Sequence, residues 1–179
     1  MELGQALEVK RGDIVAFVGA GGKTTAMFRL ARELTGRGWR VITTTTTRVA
    51  EEECASAPCA LRLDEPPALP DSLPELLDQH RHVFLFTQRQ PKIHKVRGVP
   101  PEWLDERLVL LLSHADALLI EADGARRLPL KAPRSHEPAL PRLVTLVVPV
   151  AGLDALGQPL EESHIYGADI LHRITGHSP

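Results

Sequence analysis

Glycine, lysine and threonine residues cluster in one short segment whose composition and spacing suit phosphate binding. Glycines let successive backbone N–H groups converge on an anion, and the start of a helix adds the positive end of its dipole. Lys23 can reach the β- and γ-phosphates of a nucleotide, and the Thr24 hydroxyl can join a Mg²⁺ shell. We therefore predict a nucleotide-binding loop at this segment, formed by Gly19, Ala20, Gly21, Gly22, Lys23, Thr24 and Thr25.

This loop departs from the usual phosphate-loop pattern at one position. The usual pattern has a glycine five positions before Gly22, and here Phe17 stands there. The alternative interpretation is a glycine turn between a strand and a helix that binds nothing. Because an apolar strand, the loop, the Lys-Thr pair and an amphipathic helix pattern all coincide, we favour nucleotide binding.

Two carboxylates follow a second apolar run, Ala117–Glu121, at its carboxyl end. Side chains two residues apart point the same way from a strand, so Glu121 and Asp123 can address one ion together. With a phosphate loop nearby, we expect Thr24 and Asp123 to hold Mg²⁺ and Glu121 to contact the ion or order a water molecule. Acids that merely end a strand are the alternative.

A run of five threonines, residues 43–47, ends another predicted strand and is followed by Arg48. The carboxyl ends of strands line the ligand crevice of an open parallel sheet. We therefore expect Thr44, Thr45 and Thr46 to contact the nucleotide or its metal-bound water. Threonine also suits strands and turns for reasons unrelated to binding.

A loop dense in both charge signs, residues 125–138, comes directly after Asp123. Arg126 and Lys131 can clamp an anionic substrate or stabilise phosphoryl transfer, and His136 can act as an acid or base. An ordinary solvated loop is the alternative for each of these residues.

The elements that must position these residues indicate an α/β protein. Continuous apolar runs are typical of strands buried on both faces of a parallel sheet. Strands are predicted at Ile14–Val18, Arg40–Thr44, Val83–Thr87, Ala117–Glu121 and Val144–Val150. Helices are predicted at Thr24–Arg37, Ser72–Gln79, Glu102–Ser113 and within Leu160–Ile174. We expect one three-layer domain of the P-loop NTPase type over residues 1–179, with a mainly parallel sheet and a proline-rich, little-structured connection at residues 51–74.

Composition excludes several functional classes. The 179 residues carry a net charge of −2, so no broad positive field exists for nucleic acid. The mean hydropathy is −0.09, and the apolar runs are far shorter than the roughly 20 residues that span a bilayer. The first residues lack the apolar core of a secretory signal. With two cysteines and no signal, we expect a cytoplasmic protein without a membrane or nucleic-acid partner.

Four segments together resemble one family, the selenium-dependent hydroxylase accessory proteins, or YqeC family. These segments are GAGGKTT, the threonine run, EADGARRLPLKAPRSHEP and VAGLDALGQPL, and the similarity runs from about Gly12 to Arg173. The resemblance implies a cytoplasmic P-loop nucleotide-binding protein that is associated with maturation of molybdenum hydroxylases needing a labile selenium, and hence a protein partner in that maturation. Family members often continue further, so we expect this chain to be short for the family.

The combined expectation is an Mg²⁺-dependent enzyme that hydrolyses a nucleotide or transfers its γ-phosphate. ATP is favoured over GTP, because the sequence has no Asn-Lys-x-Asp segment of the kind that GTP-specific proteins usually carry. One alternative is a nucleotide-gated accessory switch, similar to metallochaperone GTPases, with little intrinsic catalysis. Another is a loop that binds only sulfate or phosphate.

Overall fold

A six-stranded sheet runs through the centre of the protein, in a computed structural model that describes residues 1–64 and 68–176. The strands are β1 (Asp13–Gly19), β2 (Val41–Thr45), β3 (Arg48–Ala50), β4 (Cys59–Arg62), β5 (His82–Phe86), β6 (Gln88–Gln90), β7 (Lys95–Arg97), β8 (Ala117–Glu121), β9 (Leu130–Lys131), β10 (Leu146–Val150) and β11 (Ile165–Tyr166). The helices are α1 (Leu3–Ala6), α2 (Lys23–Gly36), α3 (Glu51–Cys54), α4 (Leu73–His80), α5 (Pro101–His114) and α6 (Ala168–Thr175).

The central sheet has the strand order β10-β1-β8-β2-β5-β4, and every neighbouring pair is parallel. The five strands predicted from apolar runs are present in it, so a mainly parallel α/β sheet is confirmed. β8 lies between β1 and β2, which brings the carboxyl ends of these three strands side by side. The glycine loop, the acidic segment and the threonine run therefore meet at one edge of the sheet.

Helices cover both faces of this sheet. On one face, α2 packs against alternate residues of β1, including Val15 and Phe17, and α1 packs on α2. On the other face, α4 packs against β5 and α5 against β8, in a core that also contains Ile14 and Ala16 of β1. Because successive side chains of a strand point to opposite faces, one continuous apolar run supplies both cores.

The prediction of a little-structured connection at residues 51–74 was wrong in its first half. The structure has α3 there, and then β4, which pairs in parallel with β5 at the edge of the sheet. β4 has only four residues with alternating burial, and the prolines around it hid this short edge strand in the sequence pattern. Residues 65–67, which belong to the same stretch, lie outside the described residues.

Two smaller sheets lie beside the carboxyl edge of the central sheet. β3, β7 and β6 form an antiparallel sheet in that order, and β9 pairs in parallel with β11. The helix predicted within Leu160–Ile174 is α6, which begins after β11 and Gly167 and ends at Thr175. Within the described part of the chain, no helix combines the length and apolarity needed to cross a bilayer.

Candidate functional site

The predicted glycine loop forms a tight turn between β1 and α2. Gly19, Gly21 and Gly22 all have positive φ angles, of 87°, 70° and 112°. A Cβ on Gly19 would lie 2.4 Å from the carbonyl oxygen of Val150, and a Cβ on Gly21 would lie 2.4 Å from the backbone nitrogen of Gly152. The first two of these glycines are therefore required both by backbone conformation and by close packing against the segment after β10.

The amino end of α2 leaves backbone donors for a ligand. Ala20 is buried and its N–H donates to the carbonyl of Val150 at 2.8 Å. In residues 1–64 and 68–176, none of the hydrogen bonds outside regular elements uses the N–H groups of Gly21, Gly22, Lys23 or Thr24. N–H groups at the start of a helix have no partner within the helix. Together with the positive end of the helix dipole, such N–H groups are suited to an anion.

Lys23, Thr24 and Glu121 form one cluster at this turn. The Thr24 hydroxyl donates to Oε2 of Glu121 at 2.5 Å, and Nζ of Lys23 lies 3.8 Å from Oε1 of the same carboxylate. Lys23 and Glu121 are each only 6% exposed. The sequence-predicted lysine, threonine and first carboxylate are therefore brought together by the ends of β1 and β8.

Burial dominates the electrostatics of this cluster. It raises the pKa of Glu121 to about 7, against the opposing effects of Lys23 and the Thr24 hydrogen bond. Burial also lowers the pKa of Lys23, although Glu121 and Asp123 act in the other direction. Both charged forms are thus held in surroundings that disfavour them, and ligand charges of opposite sign beside each would stabilise them.

Asp123 belongs to a separate buried network. Its carboxylate accepts the N–H of Gly19 at 3.1 Å and forms an ion pair with Lys131. Lys131 also donates to the carbonyl of Gly124 at 2.6 Å and lies 2.9 Å from the Glu137 carboxylate. The side chain of Lys131 is fully buried. The structure therefore ties Asp123 to the loop backbone and to a lysine, and places Glu121 next to Thr24.

The threonine run is divided between the interior and the crevice. Thr44 and Thr45 are fully buried in β2, and their hydroxyls donate to the carbonyls of Leu85 and Glu121 at 2.9 Å. Thr46 lines the crevice, while its hydroxyl donates to the carbonyl of Ala139 at 2.8 Å. The structure thus brings Thr46 to the site and uses Thr44 and Thr45 to join neighbouring strands.

A cleft of about 760 Å³ opens above the loop. Predicted site residues on its walls are Gly21, Gly22, Lys23, Thr24, Thr25, Thr46, Glu121 and Arg126. Asp123 and Lys131 are buried and do not line it, and His136 is exposed outside it. Among the described residues, lining residues that the motifs did not single out include Glu53, Glu137 and Tyr166.

The Thr24 hydroxyl and the Glu121 carboxylate are oxygen donors at the cleft that could hold a Mg²⁺ ion. No group of three or more His, Cys, Asp or Glu side chains able to hold a metal is present in the described ranges 1–64 and 68–176. Mg²⁺ at nucleotide sites takes few protein ligands and completes its shell with phosphate oxygens and water. The donor pair at Thr24 and Glu121 fits that requirement.

The roles of Tyr166 and Gly152 at the site were not predicted from the sequence. Tyr166 lies beside the cleft, and its ring faces Lys131 at 4.5 Å and both Arg126 and Arg134 at 5.5 Å. Gly152 supplies the close packing against Gly21. Tyr166 is the single tyrosine of the chain, but no local spacing connects it to the loop, so only the fold reveals this position.

Comparisons with known proteins agree on one family. The family model described as YqeC protein matches residues 15–169. A protein of Escherichia coli strain K12, described as uncharacterized protein YqeC, is 35% identical over 170 residues, which cover 95% of this chain and 63% of that protein. The chain thus spans less than two thirds of the length of this relative. No solved structure matches this chain.

Proposed function

The chain belongs to the YqeC family, and we propose that it is a P-loop protein that binds Mg²⁺ and ATP and hydrolyses or transfers the γ-phosphate. The observation that carries the proposal is the cluster of Lys23, Thr24 and Glu121 at the amino end of α2, directly below an open cleft. A buried lysine and carboxylate are costly to maintain. Their position beside unused backbone donors is what a phosphate site requires.

Each residue of the cluster has a distinct task in this proposal. Backbone N–H groups of Gly21 to Thr24 bind phosphate oxygens, and Lys23 neutralises charge on the β- and γ-phosphates. Thr24 and Glu121 hold the Mg²⁺ ion, which supplies charge neutralisation when bound. This differs from the expectation that Asp123 is the metal ligand, because Asp123 is engaged by Gly19 and Lys131.

In the hydrolytic reaction, a water oxygen bonds to the γ-phosphorus as the bond to the β–γ bridging oxygen breaks. The products are ADP and inorganic phosphate. Transfer follows the same course when an acceptor oxygen replaces water. Lys23 lies where it can stabilise the charge that develops on the transferred group.

The resemblance to selenium-dependent hydroxylase accessory proteins supplies a cellular context for this chemistry. We place the nucleotide reaction in maturation of a molybdenum hydroxylase in the cytoplasm, with a protein partner of that pathway. The chain spans 63% of the length of its relative. An activity of a full-length family member that needs the other part of that length is therefore proposed for the full-length protein and not for this chain alone.

A second candidate function is a nucleotide-gated switch. A continuous chain of contacts runs from the Gly19 N–H through Asp123 and Lys131 to Glu137. It ends at Tyr166, whose hydroxyl lies 3.4 Å from Glu137. A change in the loop on nucleotide hydrolysis can therefore reach the segment around β9 and β11 directly. In this case slow hydrolysis controls a partner and turnover is low.

Phosphate release from Mg²⁺ and ATP, compared with GTP, tests the proposal. Wild-type protein should release phosphate from ATP in preference to GTP. Thr24→Val should lose the Mg²⁺ dependence of that reaction. Thr35→Val, in the last turn of α2, is the matched control and should keep it. ATP binding without turnover, combined with partner capture that differs between ADP and a non-hydrolysable ATP analogue, favours the switch. Absence of both turnover and nucleotide binding contradicts both candidates.

A further inference from the structure

The small sheet beside the cleft presents three cations on one face. Arg48 on β3 and Lys95 and Arg97 on β7 line the cleft. The alternate residues Val49 and Val96 are 3% and 0% exposed and belong to the core. Side chains of a strand alternate between its two faces, so burial of the valines in the core places the three cations on the face towards the cleft. We call Arg48, Lys95 and Arg97 the basic wall.

The basic wall has no internal counter-charge. In the described ranges 1–64 and 68–176, no carboxylate oxygen lies within 4.0 Å of Arg48, Lys95 or Arg97. The carboxylates that line the cleft already have partners. These pairs are Glu52 with Arg127, Glu53 with the Ala50 N–H, Glu121 with Lys23 and Thr24, and Glu137 with Lys131.

Strand pairing holds two of these cations against their mutual repulsion. Arg48 and Arg97 are direct cross-strand partners, an arrangement in which like charges are destabilising. The segment after β7 is tied to the end of β2, because the Gly98 N–H donates to the Thr47 carbonyl at 3.1 Å and the Val99 N–H donates to the Thr45 carbonyl at 2.9 Å. A bound anion between the two arginines would remove the repulsion.

A fourth cation lies on another part of the cleft lining. Arg126 has a φ angle of 51°, in the left-handed region that costs energy for a residue with a side chain. Its guanidinium lies 5.5 Å from the ring of Tyr166. Within the described chain it has no carboxylate within 4.0 Å. Arg126 is exposed on the cleft lining, so its guanidinium is accessible to an anion there.

We propose that the basic wall and Arg126 bind a second small polyanion, a co-substrate that carries phosphate or carboxylate groups, alongside the nucleotide. This inference rests on the proposed function only for the identity of the neighbouring ligand. The glycine loop and Lys23 already provide donors for the nucleotide phosphates, so the four additional cations serve a different anion. Phosphate is tetrahedral and carboxylate is planar, but both present pairs of oxyanion oxygens that a guanidinium can bind through two hydrogen bonds.

Anion titration in a Lys23→Ala background tests this inference independently of nucleotide binding. Inorganic pyrophosphate and citrate are titrated by calorimetry, without nucleotide or Mg²⁺, into Lys23→Ala and into Lys23→Ala with Arg48→Gln and Arg97→Gln. Removal of two charge-assisted contacts should weaken binding about 10-fold or more. The dependence of binding on salt concentration should also become shallower. Binding of pyrophosphate alone supports a phosphate-bearing co-substrate, and binding of citrate as well supports a carboxylate-bearing one.

The matched control replaces Arg32 and Arg62, which are exposed, lie outside the cleft and also have no carboxylate within 4.0 Å in the described residues. Arg32→Gln with Arg62→Gln changes the net charge equally and should alter anion binding less than about two-fold. Equal weakening by the control, or no anion binding by Lys23→Ala, overturns the inference. So does a loss of ATP affinity in Arg48→Gln/Arg97→Gln as large as the loss of pyrophosphate affinity, since the wall then serves the nucleotide. Failure of wild-type protein to bind ATP is a separate result that contradicts only the proposed function.

Discussion

Replacement of Lys131 by methionine should destabilise the protein severely. The Lys131 side chain is fully buried and contacts the Asp123 and Glu137 carboxylates and the Gly124 carbonyl. Methionine keeps most of the volume and removes the charge. Asp123, which is 2% exposed, then lacks its cation, and among the described residues only the Gly19 N–H still donates to its carboxylate.

The magnitude follows from that burial. Breaking a buried ion pair by removal of one partner costs about 3–5 kcal/mol, because an uncompensated charge remains. Glu137 contributes the smaller share, since its side chain is 17% exposed and solvent can reach it. For a chain of this size the loss corresponds to a Tm decrease of roughly 6–20 °C.

Urea denaturation followed by fluorescence of Trp39 and Trp103 measures the effect. Lys92→Met at an exposed position serves as the control and should change the free energy of unfolding by less than about 0.5 kcal/mol. Lys131→Met combined with Asp123→Asn and Glu137→Gln should recover most of the loss, because no unpaired carboxylate remains. A loss below about 1 kcal/mol for the single variant, or no recovery in the triple variant, would refute the buried network.

Two further predictions concern the loop packing and the response to pH. Gly21→Ala should lower the free energy of unfolding by about 1–3 kcal/mol in urea titration, since its Cβ would meet Gly152 at 2.4 Å and its φ is +70°, whereas Gly36→Ala in α2 has open space and should be neutral or stabilising. Burial, and then the charge of Arg32, lowers the pKa of His82 from 6.5 to about 4, so the unfolded chain takes up the proton first as the pH falls. The contribution of neutral His82 to the free energy of unfolding is therefore fully present above pH 6.5 and should fall by up to about 3 kcal/mol towards pH 4. Urea titrations at each pH should show this decrease in the wild-type protein, and His82→Gln should remove it.

The features that the sequence predicted well are those encoded within one short segment. Lys23 and Thr24 lie next to each other at the start of α2, so their joint position needs only the strand, turn and helix pattern around them. Glu121 could be added because parallel strands end at one edge of the sheet. The five apolar strands follow from the same local periodicity.

The features that the sequence did not predict depend on contacts between distant segments. Asp123 has the same local setting as Glu121, and only the position of Lys131 shows that its carboxylate is occupied. Thr44 and Thr45 belong to β2 itself, where the neighbouring strands take up their hydroxyls. The short strand β4 has too few residues for a pattern to reveal it.

Calorimetric titration of ATP with Mg²⁺ tests the central claim most directly. Wild-type protein should bind ATP, and Lys23→Ala should weaken the affinity about 10- to 100-fold through loss of a charge-assisted phosphate contact. Lys92→Ala, at an exposed position outside the cleft, should bind as wild type does. Absence of binding by the wild-type protein, or equal affinity in wild type and Lys23→Ala, would contradict a nucleotide site at the glycine loop.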